Sequence, residues 1–187
     1  MADQGTEGFL SPFLRRQRLK VARPYLSGRI LDVGCGSGAL AALVDADHYL
    51  GVEVDEVSLQ QARLRFPTHQ FVSGLPESTE KFDSIISLAV IEHVSDPAEF
   101  LRTLAVHLNE SAAACIVVTT PHPSVDWVHD VGAAIGLFSK HANEEHEDLL
   151  DRAKLEMAGN QAGLKLVSYH RFLFGANQIA VYVKDDV

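Results

Sequence analysis

One nine-residue stretch constrains this chain more than any other: Ile30-Leu31-Asp32-Val33-Gly34-Cys35-Gly36-Ser37-Gly38. A short apolar run enters a turn with glycine at every second position. Glycine reaches backbone angles that other residues avoid and carries no side chain to block a ligand. The residues after the turn, Gly38 to Ala46, are expected to be helical, and a helix start there offers unpaired N–H groups to an anion. Nineteen residues beyond Gly34 stands Glu53, at the end of a second apolar run, Tyr49 to Val54. In doubly wound sheets an acid at this point accepts hydrogen bonds from ribose hydroxyls. Loop and acid together predict a ligand containing adenosine at the carboxyl edge of a parallel sheet.

The rest of the chain keeps the rhythm. Further strands are expected at Gln70 to Ser73, Phe82 to Leu88 and Ala112 to Thr119, and helices at Glu56 to Phe66 and Asp96 to Leu108. Asp96 before Pro97 suits a helix cap and first turn. The fourth and fifth strands are apolar on both faces, as central parallel strands are. Alternating strands and helices imply right-handed crossovers with helices on both faces. The end differs. Leu164 to Phe174 and Gln178 to Lys184 flank a loop short enough for a hairpin, so the last strand is expected to run antiparallel. Phe172 and Phe174 are expected in the core. An amphipathic helix is expected from Phe9 to Leu26, starting at Ser11-Pro12.

Length and charge set limits. The 187 residues suit one domain, 1–187, with residues 1–28 as a helical cap and 121–163 as a helical insertion or lid. No apolar run approaches the roughly 20 residues of a membrane span. The first residues lack a secretory pattern, and two cysteines make no disulfide framework, so a reducing cytoplasm is expected. Net charge is −9, and beyond residue 29 ten basic residues face twenty-three acidic ones. So acidic a body disfavours nucleic acid as substrate. Six basic residues lie within residues 1–29, and a solvated helix face is the expected reading of that cluster.

The glycine turn also satisfies a looser dinucleotide fingerprint through Gly34, Gly36 and Ala39. Asp32 at the strand end favours a cationic amino-acid ligand over a nicotinamide. The chain is also short for a dinucleotide domain plus a substrate domain, and the terminal hairpin is foreign to that fold.

At this point the sequence resembles the class I S-adenosylmethionine-dependent methyltransferases, over about Ile30 to Lys184. Leu31 to Gly38 resembles the family's first motif and Gly51-Val52-Glu53-Val54-Asp55 its second. Phe82 to Leu88 resembles the fourth-strand motif, followed by Ile91-Glu92-His93-Val94 and Asp96-Pro97. Val117-Val118-Thr119-Thr120-Pro121 resembles the fifth-strand end. Phe174-Gly175-Ala176-Asn177-Gln178 is similar to the closing hairpin of a bacterial subgroup, many of whose members act on small molecules, cell-envelope sugars or quinones. The resemblance implies a Rossmann-like, mostly parallel seven-stranded sheet and S-adenosylmethionine as cofactor. It implies that Gly34, Cys35, Gly36 and Gly38 line the donor, that Asp32 faces its amino-acid end, that Glu53 holds the ribose and that Val54 packs on adenine. Ser73, Gly74 and Leu75 stand where the family often places an acid for the adenine amine, and Leu88 closes the site.

The acceptor is expected to be a small molecule, methylated at oxygen. His122 follows the fifth strand and is the candidate general base, because its pKa lies near neutrality. His93 is a second candidate. No metal is expected: some relatives bind one through Glu-x-x-Glu-His, but Ala89 replaces the first carboxylate here, and a magnesium site loses a hard oxygen ligand. His129, His141 and His146, with Trp127 and Phe138, fit either a lid over the acceptor or ordinary surface histidines and helix-packing aromatics. Two other readings stay open: a domain that binds the donor or a partner without turnover, and a nicotinamide-dependent reductase.

Overall fold

The computed structural model describes residues 11–123 and 150–185. Seven strands form one sheet: β1 Ile30–Val33, β2 Tyr49–Val52, β3 Gln70–Val72, β4 Ser84–Leu88, β5 Cys115–Pro121, β6 Leu164–Phe172 and β7 Asn177–Lys184. Their order is β3-β2-β1-β4-β5-β7-β6. All neighbours from β3 to β5 pair in parallel. β7 runs antiparallel to both β5 and β6. The expected parallel sheet with an antiparallel last strand is what forms.

The register explains the two cores. Side chains alternate across a strand. Ile85, Ile116 and Val118 therefore meet α3 (Pro97–Val106) and α4 (Arg152–Gln161) on one face, where Leu101, Leu104 and Leu155 are fully buried. Ile86, Val117 and Ile179 face the other side, with Leu59 and Ala62 of α2 (Glu56–Arg65) and Ala22 of α1 (Ser11–Ala22). Asp55 caps α2 through Ser58 N, and Asp96 caps α3 through the amides of Ala98 and Glu99. Each cap satisfies N–H groups that the first turn leaves unpaired.

Four local expectations are corrected. The helix expected at Gly38 to Ala46 is instead a run of turns with 3₁₀ pieces at Ala41–Leu43 and Ala46–His48. Its bonds span three residues, as in Ala41 N to Gly38 O and Leu43 N to Leu40 O. Only fifteen residues join Val33 to Tyr49. The glycine turn uses the first of them, and 3₁₀ backbone covers about 2.0 Å per residue against 1.5 Å for the α-helix. The N-terminal helix ends at Ala22 rather than Leu26, because Pro24 cannot donate to the helix ladder. The fifth strand is shifted, running from Cys115 to Pro121. β6 stops at Phe172, and Leu173, Phe174 and Gly175 all take positive φ. Phe174 is fully exposed in that turn rather than packed in the core.

Of the expected insertion, residues 124–149 lie outside the described residues, including Trp127, His129, Phe138, His141 and His146. Residues 150–163 contain α4, which packs Leu155 and Ala158 into the core beside α3.

Candidate active site

The end of β1 and the glycine turn are tied to β2. Gly34 N and Cys35 N both donate to Val52 O, at 2.9 and 3.0 Å. Gly34 has φ +74°, and a Cβ built there would lie 2.3 Å from Val90 Cγ2. Glycine at this position is a packing requirement. Gly36 differs: its φ is +53°, yet an added Cβ would meet nothing within 4 Å. The backbone there faces open space. An added Cβ at Gly38 would sit 3.0 Å from the Phe66 ring and 3.2 Å from Phe71, so this residue packs the turn onto α2 and β3.

Glu53 anchors the turn from β2. Its Oε2 accepts from Gly36 N at 2.8 Å and its Oε1 from Asp55 N at 2.9 Å. Each carboxylate oxygen retains a further lone pair for a ligand hydroxyl. Asp32 is almost wholly buried and accepts from the Tyr49 hydroxyl at 2.7 Å. Burial pushes its carboxyl up to about 7, against the Tyr49 hydrogen bond, and the Glu53 charge adds to the rise. A cationic ligand group beside Asp32 would restore the ionised form. Burial, with the charges of Asp32 and Glu53, also pushes the Cys35 thiol up to about 12, so this sulfur packs and does not attack.

A cavity of about 380 Å³ opens on the turn. Asp32, Gly34, Cys35, Gly36 and Leu88 line it, as anticipated, together with Leu14, Arg15, Arg18 and Leu19 of α1. The arginines were expected in a solvated helix face. Instead Arg18 Nε donates to Asn177 Oδ1 at 3.1 Å, at the far side of the sheet, and burial lowers its pKa against the opposing pull of Glu92. The i, i+3 spacing of Arg15 and Arg18 was the available signal. Gly38, Glu53, Val54 and Ser73 to Leu75 are not among the lining residues. Val54 is 84% exposed at the end of β2, and Ser73, Gly74 and Leu75 form an exposed loop after β3.

His122 follows β5, half-buried, with its backbone N–H on Ala176 O at 3.0 Å. Burial and then the Arg171 charge lower its ring pKa, while Asp151 raises it. His93 is exposed on the 3₁₀ turn Ile91–His93 after β4. Among the described residues, no three His, Cys, Asp or Glu side chains group as a metal site would require.

This arrangement has known counterparts. The model of a family described as "Methyltransferase domain" matches residues 7–169. The chain belongs to the class I S-adenosylmethionine-dependent methyltransferases. A ubiquinone biosynthesis O-methyltransferase of Ruegeria pomeroyi is 35% identical over 94 residues, which are 45% of this chain and 38% of that protein. The enzyme of the same description from another Ruegeria strain is 27% identical over 83% of this chain and 68% of its own length. Much of the first relative's length thus has no counterpart in the match. Among solved structures, magnesium protoporphyrin IX methyltransferase of Synechocystis with bound S-adenosylhomocysteine shares the fold, with TM-score 0.70, 15% identity, and 97% and 90% of the two chains covered. A methyltransferase from Mesorhizobium loti has TM-score 0.65 at 18% identity, over 94% and 98%. Methyltransferase strand order and the glycine turn at β1 coincide in this chain with the open backbone at Gly36.

Proposed function

We propose that this chain is an S-adenosylmethionine-dependent O-methyltransferase acting on a small hydroxylated, quinone-like acceptor. The observation that carries the reading is the cradle at the end of β1. Gly36 presents backbone to open space within reach of Glu53, and the buried Asp32 carboxyl lines the same cavity. Its volume falls within the range of small-molecule sites.

The residues present fit the donor. Glu53 would accept from the ribose hydroxyls while still holding Gly36 N. Gly34, Cys35 and Gly36 would lie along the methionine and ribose, with Leu88 closing the far wall. Asp32 would face the ammonium group, and the Arg15 and Arg18 guanidinium groups suit the carboxylate. Val54 would cover one face of adenine, and Ser73, Gly74 and Leu75 would flank its edge. The bound donor supplies a methyl group already activated on a positively charged sulfur. The protein's task is to align the acceptor oxygen and exclude water, which contributes about 7–11 kcal/mol in well-aligned systems.

A hydroxyl acceptor must also lose its proton. His122 lies at the carboxyl edge, and its lowered pKa keeps the ring neutral and able to accept that proton near pH 7. His93, on the turn after β4, is the other candidate. Among the described residues no helix is long and apolar enough to cross a membrane. The acidic body disfavours a nucleic-acid acceptor, and the two unpaired, buried cysteines suit a cytoplasmic setting.

Calorimetric titration with S-adenosylmethionine and S-adenosylhomocysteine tests the reading. Binding of both is expected, with loss of affinity in Glu53→Ala. Saturable binding of NADH with no binding of either adenosyl ligand would overturn it.

A further inference from the structure

Tyr49 and Asp32 stand on one face of the sheet. β1 and β2 pair Ile30 with Tyr49 and Asp32 with Gly51. Alternation sends these four positions to the same side. Glycine at 51 is what leaves the space: an added Cβ would lie 2.6 Å from the Phe71 ring and 3.0 Å from Cys35 Sγ. The Tyr49 ring is 3% exposed and meets His69 and Phe71 edge-on, with centroids 5.5 and 5.6 Å apart. His69 is itself fixed, its Nε2 lying 2.9 Å from Val44 O. Rings packed on two sides hold the Tyr49 hydroxyl where it donates to Asp32 Oδ2. A phenylalanine would pack the same way, so the buried hydroxyl serves the carboxyl.

The groups around this carboxyl come from three elements. β2 supplies Tyr49 and, at its end, Glu53, and the glycine turn supplies Cys35. α1 supplies Arg15 and Arg18, which line the same cavity. The charge that acts on Asp32 is the negative one of Glu53, and among the described residues no cation offsets it. Burial, with the Asp32 charge, pushes the Tyr49 hydroxyl far above its ordinary range, so it stays protonated and donates throughout. Asp32 is 3% exposed, and its partner is this neutral donor. A buried carboxyl so placed is more stable neutral than charged. Tyr49 takes Oδ2, and the carboxyl still lines the donor cavity, which leaves Oδ1 for a ligand.

We propose that Tyr49 is a positioning residue of the donor site, holding the Asp32 carboxyl so that binding of the donor's ammonium group expels the carboxyl proton to solvent. The assignment deepens the methyltransferase reading and rests on its placement of the ammonium beside Asp32. The exchange balances: the O–H bond of Asp32 breaks, its proton leaves to water, and the ligand ammonium keeps its three protons and donates one hydrogen bond to the new carboxylate. Tyr49 assists because its hydrogen bond favours the charged form. The empty site is thus spared a buried charge, and the occupied site gains an ion pair. Discrimination follows, since a nucleoside without an ammonium group gives the carboxyl no reason to ionise.

The test compares S-adenosylhomocysteine with methylthioadenosine, which keeps the thioether nucleoside and lacks the amino-acid end. Calorimetry in two buffers of different ionisation enthalpy counts the protons released on binding. With the free carboxyl at about 7, wild type is expected to release close to one proton per S-adenosylhomocysteine at pH 6 and about one-tenth at pH 8. Affinity is expected to be about tenfold weaker at pH 6 than at pH 8. Methylthioadenosine is expected to release none and to bind within twofold at both. Asp32→Asn should abolish the release. Tyr49→Phe should extend it to higher pH and weaken S-adenosylhomocysteine at least threefold at pH 8, with methylthioadenosine unchanged. A Tyr49→Phe variant that weakens both nucleosides equally, with the proton count unchanged, has lost only a brace between strands and overturns the assignment. Should that variant not fold, equal proton release for the two nucleosides in wild type also overturns it. Failure of wild type to bind either nucleoside would instead overturn the donor site itself.

Discussion

Tyr49 donates its phenolic proton to Asp32 Oδ2 across 2.7 Å, joining the start of β2 to β1 in a fully buried hydrogen bond. The carboxyl it serves is held up at about 7 by burial. A carboxyl whose folded pKa exceeds its unfolded value near 3.8 binds more protons folded than unfolded. Its contribution to stability is therefore fully present below about pH 4 and is lost as pH rises to about 7. The loss is on the order of 4 kcal/mol. Chemical denaturation of the unliganded protein between those pH values should show it. Asp32→Asn should flatten the dependence, and saturation with S-adenosylhomocysteine should reduce it if its ammonium group pairs with the ionised form, as proposed.

Glu53 is expected to act in both fold and ligand binding. Glu53→Ala leaves Gly36 N and Asp55 N without their carboxylate partner. Hydrogen bonds to charged groups contribute about 1.5–3 kcal/mol. Affinity for S-adenosylhomocysteine should drop at least tenfold by calorimetry, while Glu53→Asp should fall between wild type and alanine.

The glycines of the turn should separate by substitution. Gly36→Ala meets no atom in the unliganded protein, so its cost is the strain of a positive φ, about 1–2 kcal/mol. Gly36 lines the cavity proposed to hold the donor, so ligand affinity should fall while the fold survives. Gly34→Ala adds a clash with Val90 to comparable strain and should lower the melting midpoint further. Thermal melts beside calorimetric titrations read both effects. Equal midpoints for the two variants would refute the distinction.

His122 predicts the shape of the pH–rate profile. Its ring pKa lies below the usual 6.5, chiefly through burial. Turnover of a hydroxyl acceptor should hold steady at neutral pH and decline on an acid limb below about 6.5, as the ring takes up a proton. His122→Ala should lower kcat by 10²–10⁴-fold, the usual range for a general base, and leave S-adenosylhomocysteine affinity intact. An unchanged acid limb in His122→Ala would assign the proton transfer elsewhere.

Much of this was legible along the chain, because short-range pattern is enough for it. Alternation and apolar runs located all seven strands. Asp96-Pro97 located a helix start, and the short loop before Gln178 implied the antiparallel pairing. The spacing from Gly34 to Glu53 foretold that loop and acid would meet, and Gly36 N does reach Glu53. What failed to read depended on distance in space. Alanine and leucine after Gly38 favour a helix, yet the short path to Tyr49 imposes 3₁₀ turns. Phe174 continues an apolar alternation but lands in a left-handed turn in solvent.

The sequence by itself determined the order of elements, the glycine turn and its acidic partner, because each arises from neighbours a few residues apart or from a fixed strand-to-strand step. Only the tertiary structure decided which charges leave water. Arg18 reaches Asn177, 159 residues away, and burial raises the Glu92 pKa against the opposing charge of Arg18, 74 residues earlier in the chain. Desolvation of a side chain is set by everything packed around it, and no local pattern of residues carries that information.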